Sequence, residues 1–177
     1  MQEAQLTSAR RILDDILDFS RIESGRPALE QQILSQNDLI ETIKLLFTRQ
    51  INEKGLELKV VIDPALPDAV EGDPGRIRQI LVNLVGNAFK FTKTGSIEIQ
   101  TSEARGDADS RSLEFVVHDT GPGISPDRAH TIFGAFVQKD SSISRRLAEL
   151  MDGTLRLSSE VGEGTAFTLQ IPLRLAR

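Results

Sequence analysis

Between residues 3 and 24 apolar side chains recur at every third or fourth position, with Ala9, Ile12, Ile16 and Phe19 in one row and Leu6, Leu13 and Leu17 beside it. That period predicts a long helix whose apolar face is wider than a single seam. Gly25 and Pro27 end it, a glycine just past the last turn and a proline that cannot continue it. So wide a face suits a helical bundle shared between chains better than packing on the chain's own domain.

A short extended piece follows around residues 29–34, and Asn37 is then placed to cap a second helix that Gly55 stops. The stretch LELKVVID alternates as a strand does, and PALP breaks it. A third helix begins at Asp73 and Pro74 and runs through RIRQILVNLVGNAFKF, with Ile77, Leu81, Leu84 and Ala88 as its core stripe. SIEIQTSE, LEFVVHD, TLRLSSE and TAFTLQIPL read as further strands, the last two separated by VGEG, and RGDADSRS (105–112) reads as a solvated hairpin loop. Helices and strands mix without strict βαβ alternation. The expected fold is therefore α+β: a two-layer α/β sandwich with helices on one face of a mixed, mainly antiparallel sheet, preceded by the long N-terminal helix.

Composition narrows the chemistry. A chain of 177 residues supports one core with an appendage. The absence of cysteine excludes disulfides, thiolate metal sites and cysteine nucleophiles. A net charge of -5, with no Trp or Tyr, argues against a nucleic-acid surface or a base-stacking platform. No apolar run approaches the roughly 20 residues that span a bilayer, and the polar start after Met1 lacks a signal-peptide pattern, so a cytoplasmic fragment without direct membrane contact is expected, whether or not its parent protein is membrane-anchored.

Three clusters carry candidate chemistry. Asn83, Asn87 and Lys90 stand at i, i+4 and i+7, on one helical face away from the core stripe. A lone asparagine there would be a solvated surface residue; clustered, they can hold a ligand, since an amide oxygen suits Mg2+ shared with phosphate and Lys90 can neutralise phosphate charge. DTGPGI places Asp119 at a strand end, where a buried carboxylate demands donors, and Gly121 and Gly123 let the backbone turn or be approached closely. VGEGTAF is by itself a weak hairpin signal that brings in Thr165. Phe133 and Phe136 in IFGAF read as core.

In this order, DPGRIRQILVNLVGNAFKFT, DTGPGI, IFGAF and VGEGTAFTLQIP resemble the N, G1, F and G3 boxes of sensor histidine kinases, and ILDDILDFSRIESGR is similar to the second dimerisation helix that precedes their catalytic domain. The resemblance implies a Bergerat-type ATP-binding fold, shared with DNA gyrase and heat-shock chaperone ATPases. Residues 1–26 would be the end of the dimerisation hairpin and 27–177 the catalytic domain, acting in a homodimer and relaying phosphate to a response-regulator receiver. It also implies ATP and Mg2+ as cofactors. Asn87 would hold the metal, Asn83 would face the reacting phosphate as the catalytic residue, and Lys90 would contact phosphate. Asp119 would accept from the adenine amino group, directly and through water shared with Thr165. Gly121 and Gly123 would make room for the base, with Ile124 beside them, and Phe91 would lie beside adenine.

Two departures from that pattern bear on activity. The only histidines are His118, read as a strand-face or core residue, and His130, read as a helix-surface residue, so the phosphoacceptor histidine is missing. The ATP lid and its glycine-rich G2 box are also missing: Asp140, Ser141 and Ser142 read as the entrance to a loop, and SISRRLAELMDG as the helix that follows the lid, which puts the join near 142–143. Without that cradle of amides the γ-phosphate loses much of its grip. Two other functions compete with a kinase: a regulatory adaptor on the same fold, and a gyrase- or chaperone-like ATPase. The second expects an acidic base where this chain has Asn83.

Overall fold

The computed structural model describes residues 29–105, 111–127, 140–172 and 174–175. The predicted helix over 3–24, His130, Phe133 and Phe136 lie outside these. Five strands form the main sheet: β2 (Glu57–Ile62), β4 (Ser96–Arg105), β5 (Arg111–Asp119), β6 (Thr154–Glu160) and β7 (Gly164–Pro172), in the order β2-β4-β5-β7-β6. Only the β2–β4 pair is parallel; the other three are antiparallel, as a mixed, mainly antiparallel sheet requires.

Helices α1 (Gln36–Glu53), α2 (Pro74–Phe91) and α3 (Asp140–Leu150) cover one face. Along β5 the burial alternates strictly, with Leu113, Phe115, Val117 and Asp119 buried and the residues between them only partly so. The buried set meets Ile77, Ile80, Leu81 and Leu84 of α2, Ile40 and Ile43 of α1, and Leu147 and Ala148 of α3 in one core. An inward polar residue in such a row is therefore costly unless something satisfies it, and Asp119 is the one at its end. His118 occupies the opposite, half-buried face, paired in register with Glu98 and Ala166, as a strand-face residue should be.

The expected α+β sandwich is present, with three differences of detail. The cap of α1 is Ser35, whose Oγ accepts from the Asp38 amide at 3.0 Å, and not Asn37, whose side-chain amide donates to Asp68 instead. A second, three-stranded sheet, β1 (Gln32–Ser35), β3 (Ala69–Gly72) and β8 (Arg174–Leu175), ties the segment before α1 to the end of the chain. Its strands are too short to carry a period. Finally, Asp140 to Ser142 are already helical, so α3 runs without a break through the place read as the entrance to a loop. Once the polar residues are joined directly to Ile143, Leu147 and Leu150, the helical hydrogen bonds extend back through them.

Candidate functional site

α2 begins where the sequence placed it: the Asp73 carboxylate accepts from the Arg76 amide at 3.0 Å and Pro74 opens the first turn. Its buried stripe fixes its rotation and leaves Asn83 and Asn87 half-buried along one flank, with Lys90 exposed. Asn83 donates through Nδ2 to Oγ of Ser144 on α3 at 3.4 Å. Lys90 Nζ sits over the Phe91 ring, 5.3 Å from its centroid, and Phe91 is 53% exposed. Phe91 thus presents a half-exposed apolar ring beside the Lys90 ammonium.

The end of α2 meets the DTGPGI loop at Gly121. A Cβ there would lie 2.6 Å from Asp119 Oδ1 and 3.3 Å from Thr92 Oγ1, so hydrogen at that position lets carboxylate, threonine and loop backbone crowd together. The Gly121 amide donates to Asp119 Oδ1 at 2.8 Å. Thr92 is completely buried, and its Oγ1 lies outside good hydrogen-bond geometry yet close enough to the carboxylate to favour its charged form. Burial raises the pKa of Asp119; the Gly121 amide, the Thr92 hydroxyl and the charge of His118 oppose that rise.

Gly123 has a φ of 69°, and a Cβ on it would overlap the Glu160 carbonyl oxygen. Its reason is therefore the packing of the DTGPGI loop on the VGEG turn, held further by Gly162 N donating to Pro122 O at 2.8 Å. Gly121, by contrast, is not among the positive-φ residues. Ile124 joins the same seam, its amide donating to Ser159 Oγ at 2.8 Å. Thr165 lies directly opposite Asp119 in the β5–β7 register, and both are buried. Asp119, Gly121, Gly123, Ile124 and Thr165 thus gather where the DTGPGI loop, the VGEG turn and the end of α2 meet, while Asn83 is joined to α3.

Residues 72–175 match the family model described as histidine kinase-, DNA gyrase B- and HSP90-like ATPase. The chain belongs to this family. Among relatives of this ATPase, it is 35% identical to hybrid signal transduction histidine kinase B of Dictyostelium discoideum over 91% of its length and 9% of that protein's. It is 37% identical to the autoinducer 2 sensor kinase/phosphatase LuxQ of Vibrio cholerae, over 93% of this chain and 20% of LuxQ. The signal transduction histidine-protein kinase BarA of Escherichia coli is 36% identical over 93% of this chain and 19% of its own. The chain spans a fifth or less of these relatives. Among solved structures, full-length ShkA in complex with AMPPNP superposes with a TM-score of 0.82 at 32% identity, over 99% of this chain and 39% of ShkA. The histidine kinase ThkA in complex with response regulator protein TrrA gives 0.74 at 27%, over 96% of this chain and 48% of ThkA. The fold is thus that of the histidine-kinase ATPase domain, the catalytic ATP-binding module of sensor histidine kinases.

Three residues of the site escaped the sequence reading. Ser159 carried a signal, an inward position in the alternation Leu155, Leu157, Ser159 where an apolar residue is the rule. Ser144 lies on the buried face of α3 with Leu147 and Ala148, so helical spacing marks it as an inward hydroxyl. Thr92 directly follows α2, and only the fold brings it to Asp119.

Proposed function

We propose that this chain is the ATP-binding catalytic part of a two-component sensor histidine kinase. The observation that carries the proposal is a buried carboxylate, Asp119, at a strand end between a helix terminus and two interlocked glycine turns, within the fold of a nucleotide-binding family. A buried carboxylate needs hydrogen donors, and the amino edge of adenine supplies them. On this reading Asp119 and Thr165 take the base, Gly121, Gly123 and Ile124 shape its mouth, Phe91 covers it, and Asn83, Asn87 and Lys90 line the phosphate side.

The donors present fit Mg2+ as it is held beside phosphate. Among the described residues no three His, Cys, Asp or Glu side chains gather into a cage. Mg2+ shared with phosphate needs none, because it keeps several waters and takes one or two protein oxygens. The half-buried Asn87 amide offers one such oxygen. A bound Mg2+ would neutralise charge on the phosphates, Lys90 would add its ammonium, and Asn83, held through Nδ2 by Ser144, keeps its amide oxygen for the reacting end.

In the full protein the γ-phosphoryl would pass to a histidine on a preceding helix, outside this chain, and on to a receiver aspartate of a response regulator. Residues 1–26 would supply the dimer-forming helix and 27–177 the catalytic domain, on the cytoplasmic side. Among the described residues no helix is long and apolar enough to cross a membrane. α3 runs unbroken from Asp140 across the join, which supports a chain with no glycine-rich lid between Ser142 and Ile143. Such a chain grips the base end of the nucleotide better than its γ-phosphate.

The test is equilibrium binding of a fluorescent ADP analogue with Mg2+, to this chain and to a version carrying a lid between Ser142 and Ile143. Binding to both, abolished by Asp119→Ala and lost on Mg2+ removal or in Asn87→Ala, is the expected result. Absence of binding even to the lid-bearing version sinks the proposal.

A further inference from the structure

The hydroxyl of Ser159 stands at the centre of three contacts. The Ile124 amide approaches its Oγ at 2.8 Å, the Gly164 carbonyl oxygen lies at 3.0 Å, and Thr165 Oγ1 lies at 3.0 Å. An amide N–H only donates, a carbonyl oxygen only accepts, and a serine hydroxyl owns one hydrogen. One assignment satisfies all three: Ser159 receives the Ile124 hydrogen and gives its own to Gly164. The hydrogen between the two hydroxyls must then come from Thr165.

Thr165 therefore spends its only hydrogen on Ser159 and turns lone pairs alone toward the site. Directly across the register on β5 stands Asp119, whose Oδ1 already accepts from the Gly121 amide. Facing side chains on adjacent antiparallel strands lie about 5 Å apart at Cβ, close enough for one ligand group or water to touch both. The two strands thus present acceptors on both sides of one small gap.

We infer that Ser159 is a specificity-determining positioning residue: by consuming the Thr165 hydrogen it makes the Asp119–Thr165 pair acceptor-only, so the site selects a 6-amino purine and rejects a 6-oxo purine. An exocyclic amine brings two hydrogens to two acceptors. A carbonyl oxygen brings none and would face lone pairs on both sides, a mismatch that a polar site penalises heavily. Gly164 takes part through its backbone. It has a φ of 121°, and a Cβ there would overlap the Asp119 carbonyl oxygen, so the strand can hold its own carbonyl against Ser159 only as glycine.

The inference rests on the nucleotide reading above, and the experiment separates the two. ADP and IDP are titrated against a fluorescent ADP analogue with the wild-type chain, Ser159→Ala, Ser159→Thr and Thr165→Val, with folding checked by circular dichroism. Wild type should prefer ADP. Ser159→Ala frees the Thr165 hydrogen, so the ADP-over-IDP ratio should fall by about tenfold, the worth of one hydrogen bond changing sense, and Ser159→Thr should keep it. An unchanged ratio in folded Ser159→Ala overturns the inference while leaving the nucleotide reading intact. Absence of ADP binding by both the wild-type chain and its lid-bearing version overturns both. If Ser159→Ala does not fold, Thr165→Val decides by sign: an acceptor-only Thr165 makes the ratio fall when removed, and a donating one makes it hold or rise, which overturns the inference.

Discussion

Asn83 on α2 and Ser144 on α3 are joined by a hydrogen bond of 3.4 Å across 61 residues of sequence. Ser144 is fully buried and Asn83 is half-buried, so α3 holds the amide that the proposed function assigns to the phosphate side. The register of α3 therefore reaches the site through one side chain. Ser144→Ala should cost about 1 kcal/mol in urea unfolding, the usual net worth of such a bond. In a lid-bearing, phosphorylation-competent version it should lower the rate of transfer more than the affinity for ADP, since only the orientation of Asn83 changes. Equal losses in rate and affinity would assign Ser144 to packing alone.

The two glycine turns give an ordered comparison. Gly162 has a φ of 86° with open space around it, while Gly123 has a φ of 69° with the Glu160 backbone in the way of any Cβ. Gly162→Ala should cost about 1 to 2 kcal/mol, from backbone strain only. Gly123→Ala adds an overlap with backbone that no rotamer relieves and should cost about 3 kcal/mol or more, a large part of a typical total of about 5–15 kcal/mol. Urea midpoints of the two variants check this, and equal costs would mean that the loops separate easily.

How legible all this was depended on the range of the interaction concerned. The stripe of α2 and the alternation of β5 are periodic over 18 and 9 residues, so pattern alone placed them and, with them, Asn83, Asn87 and Asp119. The β1-β3-β8 sheet has strands of 4, 4 and 2 residues, and nothing so short carries a period. DTGPGI and VGEG were both legible as turns, but their glycines had no assigned neighbour until β5 and β7 paired and brought Gly123 against Glu160. Thr92 meets Asp119 only because the fold closes over it, whereas Ser159 had left a trace as a polar residue at an inward strand position. At Asp140, local polarity argued for a loop and lost to the helix it adjoins.

Caps show the same contrast at a scale that can be measured. Ser35 Oγ accepts from the Asp38 amide, a first-turn donor of α1, and donates to Asp68, whereas Asn37 bonds only to Asp68 and satisfies no other helix amide. Ser35→Ala should cost about 1 kcal/mol and Asn37→Ala less than about 0.5 kcal/mol. Asp73 caps α2 through Oδ1 and also accepts from the Glu30 amide through Oδ2 at 3.1 Å. Asp73→Ala should therefore exceed an ordinary cap loss, at about 2 kcal/mol, and should loosen the segment before β1, seen as faster amide exchange at Glu30. A cost no larger than that of Ser35→Ala, with exchange unchanged, would leave Asp73 as a helix cap only.

Asp119 sets stability against binding, and the sign follows from its surroundings. Burial raises its pKa in the folded state, only partly offset by the Gly121 amide, the Thr92 hydroxyl and the charge of His118. Between the ordinary carboxylate value and the raised one, the folded chain binds more protons than the unfolded chain. The ligand-free domain therefore loses stability as pH rises through that window, and the cost persists at neutral pH. Asp119→Asn removes the buried charge while keeping an oxygen for the Gly121 amide. Its ligand-free melting temperature at pH 7 should exceed that of wild type, and the gap should close as the pH falls below the ordinary carboxylate range. ADP affinity should move the other way: tenfold weaker or more in the variant, by about the worth of one charged hydrogen bond, and declining in wild type alone as acid protonates the acceptor. A variant less stable than wild type at pH 7 that still binds ADP fully would show that the carboxylate serves the fold and not the ligand.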